Sequence, residues 1–301
     1  MHALYLITYL YHNYIIMAKE KHKAPIKVPA FIKVSVKITE AVSPALAAKF
    51  AMWLFTRPVK FKTPKREQPM AASSKQERVF VNGPGKTINV YRLGSSARKV
   101  ILVHGWSGRG TQLYAIAEKL VAAGFETISF DAPAHGKSTG KHSDMTEFIA
   151  SIQQLEKQCG PFEYAIGHSL GAMAVLNAIK GGLKVKKAVL IGSGDVIEDI
   201  MLYFTNKLGM KIATGKVMIH RFEAKFNQTI DSFSAYIAAQ DVKIPVLMFH
   251  DENDLDVPVS AAHHISKHLE KPTLIVTKGL GHRKILGDKN VIKLILEFFE
   301  S

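Results

Sequence analysis

Residues 162–182 form the segment that most constrains what this chain can fold into. A short apolar run at 164–166 leads into Gly167-His-Ser-Leu-Gly171, and an apolar helical pattern follows. The turn matches G-x-S-x-G, which between a strand and a helix holds its serine strained and clear of the sheet. Glycine at both ends tolerates the backbone angles of such a turn. We therefore predict a nucleophilic Ser169, in preference to an ordinary Gly-Ser turn of another strand–helix unit.

The remaining pattern alternates between short apolar runs and helical segments from residue 78 onward. Apolar runs typical of strands lie at 78–81, 87–92, 100–103, 126–130, 187–191, 245–249 and 273–277. This alternation predicts an α/β fold, with a mostly parallel central sheet and helices on both of its faces. Ligands of such sheets bind beyond the carboxyl ends of the strands, where every motif described here falls.

Residues 195–240 interrupt the alternation between strands and helices. Apolar residues recur there at helical spacing, and no strand pattern is visible. We expect four or five short helices in this segment, inserted after the sixth strand of the sheet.

A serine hydroxyl needs a neighbouring base, usually an imidazole that a carboxylate orients. His282 stands out among the 13 histidines because it follows Gly279-Leu-Gly281 in a predicted loop just after a strand. Asp254 is the favoured carboxylate because of its place in the loop after the strand at 245–249, with Asp251 and Asp256 as alternatives. Leu170 opens a helix, so its N–H is free to face a developing oxyanion.

Charge and cysteine content limit the surroundings in which this chain works. Residues 1–66 hold ten Lys, two Arg and two Glu, a net charge of +10 out of +15 for all 301 residues. Such an arm is either a solvated extension, the simpler interpretation, or a contact with an anionic membrane surface through residues 1–60. We expect no nucleic-acid partner, because no aromatic-interleaved basic module is visible. The single cysteine suits a reducing, cytoplasmic compartment.

The N-terminal region, residues 1–77, is predicted to be an extension of the main domain at 78–301. Its apolar run at 3–18 is shorter than the roughly 20 residues of a spanning helix. It lacks a clear signal-peptide pattern, so a weak membrane anchor or a translation start at Met17 are the alternatives. A helix is expected at 43–56, with Ser43 as its N-cap, and a linker at 58–77.

Four sequence motifs, taken in their order along the chain, resemble those of the α/β-hydrolase superfamily, over residues 78–301. They are the turn around Ser169, the strand end His104-Gly105-Trp106, the loop Asp131-Ala-Pro-Ala-His-Gly-Lys-Ser138, and Asp254 followed by His282. The loop is similar to the family's D-x-P-G-x-G-x-S pattern, with Ala134 where glycine is commoner.

The resemblance implies an α/β-hydrolase fold in which residues 195–240 form a helical cap. It implies a Ser169–His282–Asp254 triad that transfers an acyl group to water, with Trp106 and Leu170 donating backbone N–H groups to an oxyanion. Residues Trp106, Met201 and Phe204 are expected to line the substrate pocket. Neither a cofactor nor a metal ion is implied.

The implied substrate is a small-molecule carboxylic ester or thioester, with a lipid-like molecule such as a lysophospholipid as a refinement. Serine at position 169 argues against haloalkane dehalogenase and epoxide hydrolase chemistry, in which the nucleophile is a carboxylate. Cleavage of a C–C bond in a diketone is the alternative reaction. A non-catalytic, membrane-associated relative of the same fold is the alternative outside enzymes.

Overall fold

The structure, a computed structural model, describes residues 28–301 of the chain. The apolar run at 3–18 and the interpretations attached to it lie outside the described residues. The described chain begins with two helices, α1 (Ala30–Val42) and α2 (Pro44–Phe55). Between them the Ser43 side chain accepts a hydrogen bond from Leu46 N at 3.4 Å, as an N-cap does. The predicted helix at 43–56 is therefore present, whereas α1 was not expected.

Eight strands form one sheet in the order β1-β2-β4-β3-β5-β6-β7-β8. The first two strands pair antiparallel, β2 pairs antiparallel with β4, and all later pairs are parallel. The predicted α/β class and mostly parallel sheet are thereby confirmed. The strands are β1 (Lys75–Val81), β2 (Lys86–Leu93), β3 (Lys99–Val103), β4 (Glu126–Asp131), β5 (Tyr164–His168), β6 (Lys187–Ile191), β7 (Pro245–Asp251) and β8 (Lys271–Thr277).

Helices cover both faces of this sheet, because the central strands are apolar on both sides. One face packs on α4 (Tyr114–Ala122) and α12 (Lys289–Glu300), through residues such as Leu120 and Phe299. The opposite face of the sheet packs on α5 (Met145–Cys159), α6 (Leu170–Lys180) and α10 (Val259–Ser266). Within β3 the side chains alternate between the two cores, with Val100 in one and Ile101 in the other. The carboxyl ends of the parallel strands are thus brought to one edge of the sheet.

Residues 195–240 connect β6 to β7 and are helical, as expected. They contain α7 (Ile197–Lys207), α8 (Ile212–Phe226), a 3-10 helix (Ile230–Phe233) and α9 (Ala235–Ala239). The inserted helices pack on α2, where the Phe55 ring lies 5.1 Å from the ring of Phe204 and 6.0 Å from that of Phe222. The N-terminal helices and the insertion therefore share one apolar contact layer.

The segment at 58–77, expected to be a linker, contains regular structure. A 3-10 helix (Lys65–Glu67) and α3 (Gln68–Ser73) precede β1, so the expected boundary at 77/78 falls inside that strand. Glu67 is buried, and its carboxylate accepts hydrogen bonds from Arg109 at 2.9 Å and Thr111 at 2.8 Å. These contacts attach the segment to the sheet domain.

Among the helices of residues 28–301, none combines the length and apolar character that crossing a bilayer requires.

Candidate active site

The turn between β5 and α6 holds Ser169 in a strained conformation, with φ +55° and ψ −122°. A side chain rarely adopts such a positive φ, so the surrounding contacts must enforce it. The glycines make those contacts feasible. A Cβ atom at Gly171 would lie 2.3 Å from the carbonyl oxygen of Val103, and one at Gly167 would lie 2.5 Å from Ala172 Cα. The helix therefore packs closely on the sheet at this turn, and Ser169 remains partly exposed.

The loop after β3 lies directly against this turn. A Cβ atom at Gly105 would lie 2.9 Å from Ser169 Cβ, so the backbone before Trp106 touches the serine. Within residues 28–301, neither the Trp106 N–H nor the Leu170 N–H donates a hydrogen bond to another group. The two residues that were expected to hold an oxyanion thus have free N–H donors beside Ser169.

Two buried histidines fix the backbone of the loop after β3. His104 donates from Nδ1 to the Gly105 carbonyl at 2.7 Å, and its Nε2 accepts from Ala132 N at 3.0 Å. His135 accepts from Ser107 N at 3.1 Å and packs edge-on against the Trp106 ring. Burial lowers the pKa of His104 to about 4 and that of His135 to about 3, so both rings are neutral. These contacts give both histidines a structural role.

The loop after β4 is organised around the buried carboxylate of Asp131. It accepts hydrogen bonds from Gly110 N at 2.7 Å, Lys137 N at 2.8 Å and the Tyr91 hydroxyl at 3.1 Å. Ala134 has a φ of +65°, which explains physically why glycine is commoner at this position. The loop then supplies the His135 ring that supports Trp106.

His282 and Asp254 meet at the same sheet edge. Nδ1 of His282 lies 2.7 Å from Oδ2 of Asp254, while Oδ1 of that carboxylate accepts from Asp256 N at 2.8 Å and Val257 N at 2.9 Å. Burial opposes ionisation, but the hydrogen bonds from His282, Val257 and Asp256 outweigh it and lower the pKa of Asp254. An ionised carboxylate only accepts hydrogen bonds, so Nδ1 carries the hydrogen and Nε2 is left with a lone pair.

The hydrogen-bond partners of Asp251 and Asp256 differ from those of Asp254. Asp251 is fully buried and accepts from Thr277 Oγ1 at 2.8 Å and Leu280 N at 3.0 Å, which fixes the loop after β8. Asp256 is partly exposed and lies 3.6 Å from Arg283. Of the three candidates that the sequence left open, only Asp254 is hydrogen-bonded to His282 in the described chain.

Residues at the end of β6 contact both Ser169 and His282, and so place the two side chains in the same region. Ser169 N donates to Ile191 O at 2.9 Å, and the next residue, Gly192, would place a Cβ atom 3.2 Å from His282 Nδ1. In the described chain no hydrogen bond joins the Ser169 hydroxyl to the His282 ring. His282 lies in a short helix, α11 (Gly281–Lys284), where the sequence suggested a loop.

His168, which precedes Ser169 in the turn, contacts the backbone of His282. Its Nε2 donates to the His282 carbonyl at 2.9 Å, and the two rings lie 4.6 Å apart. Burial lowers the pKa of His168 to about 3, so this ring is neutral. In the sequence, the only indication of this contact was that a histidine occupies the second position of G-x-S-x-G.

The expected pocket residues differ in their surroundings. Trp106 is 36% exposed beside Ser169, whereas Met201 is buried in the core and Phe204 packs on Phe55. These contacts give Met201 and Phe204 a packing role, and their place in a pocket stays a prediction. A groove of about 280 Å³ lies elsewhere, between α2 and the start of α5, and none of the expected site residues lines it.

One group of residues in the described chain has the proximity that a metal ion needs. Ligand atoms of Asp254, Asp256 and His282 lie within 4.8 Å of one another. The hydrogen on His282 Nδ1 is already donated to Asp254, which leaves that nitrogen no lone pair for a cation. His264 and His268, whose i, i+4 spacing is a weak metal signal, bind Asp195 at 2.5 Å and the His264 carbonyl at 2.9 Å respectively.

A family model described as the alpha/beta hydrolase family matches residues 100–287 of this chain. The match spans the strand ends that carry Trp106, Ser169, Asp254 and His282. No curated protein sequence is significantly similar to this chain.

Solved structures share the fold at low sequence identity. An esterase from Exiguobacterium antarcticum aligns with a TM-score of 0.60 at 16% identity, over 75% of this chain and all 100% of that one. A putative lipase from Acinetobacter baumannii aligns with a TM-score of 0.61 at 17% identity, over 80% of this chain and 97% of that one. A membrane phospholipase A described as a bacterial virulence factor aligns with a TM-score of 0.60 at 14% identity, over 78% and 88% of the two chains.

Proposed function

Because this chain belongs to the alpha/beta hydrolase family, we propose that it is a serine hydrolase that cleaves a carboxylic ester or thioester through an acyl-enzyme. The observation that carries this proposal is the 2.7 Å hydrogen bond between His282 and Asp254, beside a serine held at φ +55°. A strained nucleophile and an oriented imidazole at one sheet edge are the two groups that acyl transfer from an ester requires.

In the proposed mechanism Asp254 sets the tautomer of His282. Its ionised carboxylate holds the hydrogen on Nδ1, so Nε2 can accept the proton of the Ser169 hydroxyl as that oxygen attacks the carbonyl carbon. The imidazolium then returns the proton to the leaving group, and water repeats the cycle to release the acid. The missing Ser169–His282 hydrogen bond is compatible with this role, because catalytic hydrogen bonds often shorten only when substrate binds.

The Trp106 and Leu170 N–H groups are the proposed oxyanion hole. Both are free of intramolecular partners within residues 28–301, so an incoming oxyanion need not displace an existing hydrogen bond. The Leu170 N–H also lies in the first turn of α6, where the helix dipole favours negative charge. Removing one such donor typically costs on the order of 10²–10³ in rate.

The proposed substrate has an apolar acyl group, and a lipid-like ester fits best. Trp106 presents an exposed aromatic surface beside Ser169, and the helices at 195–240 are the proposed cap above the strand ends. The esterase, the putative lipase and the phospholipase with the same fold are consistent with ester substrates.

A fluorophosphonate probe tests the nucleophile directly. The wild-type chain should react at Ser169, and Ser169→Ala should lose both labelling and on the order of 10⁴–10⁶ in kcat. A folded wild-type chain that stays unlabelled would favour a non-catalytic relative of the fold. Ser107→Ala is a matched control, because Ser107 is also a serine with positive φ, close to Trp106 but outside the triad.

A panel of p-nitrophenyl esters from acetate to palmitate tests the substrate class. The proposal expects turnover that rises with acyl length at fixed concentration of monomeric substrate. A chain that labels with the probe yet hydrolyses none of these esters, while cleaving a diketone, would be a C–C hydrolase instead.

A further inference from the structure

The N-terminal helices carry an unusual share of the exposed apolar surface. Of 15 exposed large apolar side chains in the described chain, eight fall within residues 31–61. Four of them lie on one side of α1, within an arc of roughly 80° at 3.6 residues per turn. These four side chains are Phe31, Val34, Ile38 and Val42, with exposures of 71%, 55%, 61% and 76%.

The opposite side of α1 shows that this exposure is not a sign of an unpacked helix. Val36 is fully buried in the core, and Glu40 accepts a hydrogen bond from Lys211 N at 2.9 Å. The helix is therefore held on the insertion by one side while its other side presents apolar groups. Monomeric proteins seldom leave such a surface uncovered without a partner.

Positive charge surrounds these apolar side chains. Residues 28–66 contain six Lys, two Arg and one Glu, a net charge of +7, and the one acid, Glu40, is already hydrogen-bonded. Lys33 and Lys37 are exposed about one turn apart, and Lys37 lies next to the apolar side of α1. An apolar face beside lysines is the pattern of helices that lie in the interface of an anionic bilayer.

The chain that follows α2 connects this surface to the candidate active site. Val59 is 57% exposed, and its N–H donates to Ser107 Oγ at 3.0 Å, one residue after Trp106. Lys60 Nζ donates to the Gly136 carbonyl at 3.1 Å, in the loop that supports Trp106. The segment that carries the exposed side chain of Val59 therefore lies beside the loops that hold Trp106.

We propose that α1, α2 and the strap at 56–62 form a docking surface for an anionic phospholipid bilayer. The four apolar side chains on the exposed side of α1 insert at the headgroup boundary. The nearby lysines of the same helix contact the anionic headgroups. The surface stands independently of the proposed chemistry. Its second role, presenting an acyl chain from the bilayer to Ser169, rests on the proposed function.

Vesicle flotation of the full chain tests the surface. The vesicles are neutral phosphatidylcholine or the same lipid with 30% phosphatidylglycerol. We expect binding to anionic vesicles, weakened by 0.5 M salt, and a decrease of roughly tenfold or more in partitioning for Phe31→Ser with Ile38→Ser. Phe80→Ser with Val276→Ser, two exposed apolar residues of the sheet, is the matched control and should bind as wild type.

The contribution of the lysine charges to vesicle binding is tested with a second matched pair of double variants. Lys33→Gln with Lys37→Gln should weaken anionic binding severalfold, while Lys119→Gln with Lys184→Gln, two exposed lysines of the sheet domain, should not. Equal loss in both pairs would indicate attraction by net charge alone and would overturn the docking surface. Unchanged binding by the α1 variants would assign any membrane contact to residues 1–27 instead.

Three further readouts separate this proposal from its competitors. A change in mass by light scattering for the α1 variants, without a change in flotation, would assign the surface to a second copy of this chain. On a soluble short ester the α1 variants should match wild type, whereas on an ester embedded in anionic vesicles they should be slower. Loss of flotation with intact fluorophosphonate labelling separates failure of the docking surface from failure of the hydrolase assignment.

Discussion

Replacing Asp254 by Asn probes the hydrogen-bond arrangement of the candidate site most sharply. Oδ1 of Asp254 accepts from two backbone N–H groups, at 2.8 and 2.9 Å, and Oδ2 accepts from His282 Nδ1 at 2.7 Å. An Asn side chain must keep its one oxygen toward the two N–H groups, so its NH₂ group faces Nδ1. That nitrogen must then become an acceptor, which moves the ring hydrogen to Nε2.

The consequence is a base in the wrong tautomer. With hydrogen on Nε2, His282 cannot accept the Ser169 proton, although every residue keeps its place. We expect kcat to fall by about 10⁴, or roughly 5.5 kcal/mol, the size that such a tautomer change has in serine proteases. KM should change little, because Asp254 is buried and touches no substrate.

Steady-state hydrolysis of a p-nitrophenyl ester measures this loss, with thermal unfolding as a check of the fold. Asp256→Asn is the matched control: the same change two residues away, in a carboxylate that pairs with Arg283 at 3.6 Å. It should stay within about threefold of wild type, since an exposed pair contributes little. The reasoning is refuted if Asp254→Asn keeps a tenth or more of wild-type kcat, or if Asp256→Asn loses as much.

Three further predictions concern stability. Burial holds the pKa of three histidines at about 4, 3 and 3, below the 6.5 of the unfolded chain, so the unfolded chain binds more protons as the pH falls below 6.5. The free energy of unfolding should therefore decrease from pH 7.5 to 5.5, by about 1.4 kcal/mol for each, as urea titrations would detect; a flat profile would show that folding does not lower the pKa of His104, His135 and His168. Ala134→Gly should stabilise the chain by about 0.5–1 kcal/mol in the same titration, because φ there is +65°, and destabilisation would contradict that strain. Glu67→Ala should cost about 3–5 kcal/mol because it leaves the guanidinium of Arg109, whose side chain is only 12% exposed, unpaired, and a loss below 1 kcal/mol would mean that residues 58–77 are the linker first expected.

The sheet and the nucleophile turn could be predicted from sequence because their signals are local. Apolar runs of five or so residues set the strands, and Gly167 is needed for a contact with Ala172, within a few residues of Ser169. His282 and Asp254 were named from their places after β8 and β7. The bond between them follows once parallel strands bring both loops to one edge.

Other features depend on contacts that no local pattern reveals. The segment at 58–77 looks like a linker because its charges and prolines are typical of one, yet Glu67 binds Arg109, 42 residues along the chain. Apolar character alone does not distinguish a pocket wall from a core, so the place of Met201 and Phe204 in a pocket stays a prediction. Helix α1 went unrecognised because its exposed side is as apolar as its buried one.

Trapping the acyl-enzyme tests the central claim most directly. A p-nitrophenyl ester mixed with the chain and quenched in acid within the first turnover should give a burst of nitrophenol and a chain heavier by one acyl group. Peptide mass spectrometry should place that group on Ser169, and His282→Gln should show neither the burst nor the adduct. Steady turnover with no acyl group on Ser169, or with the group on another residue, would contradict the account.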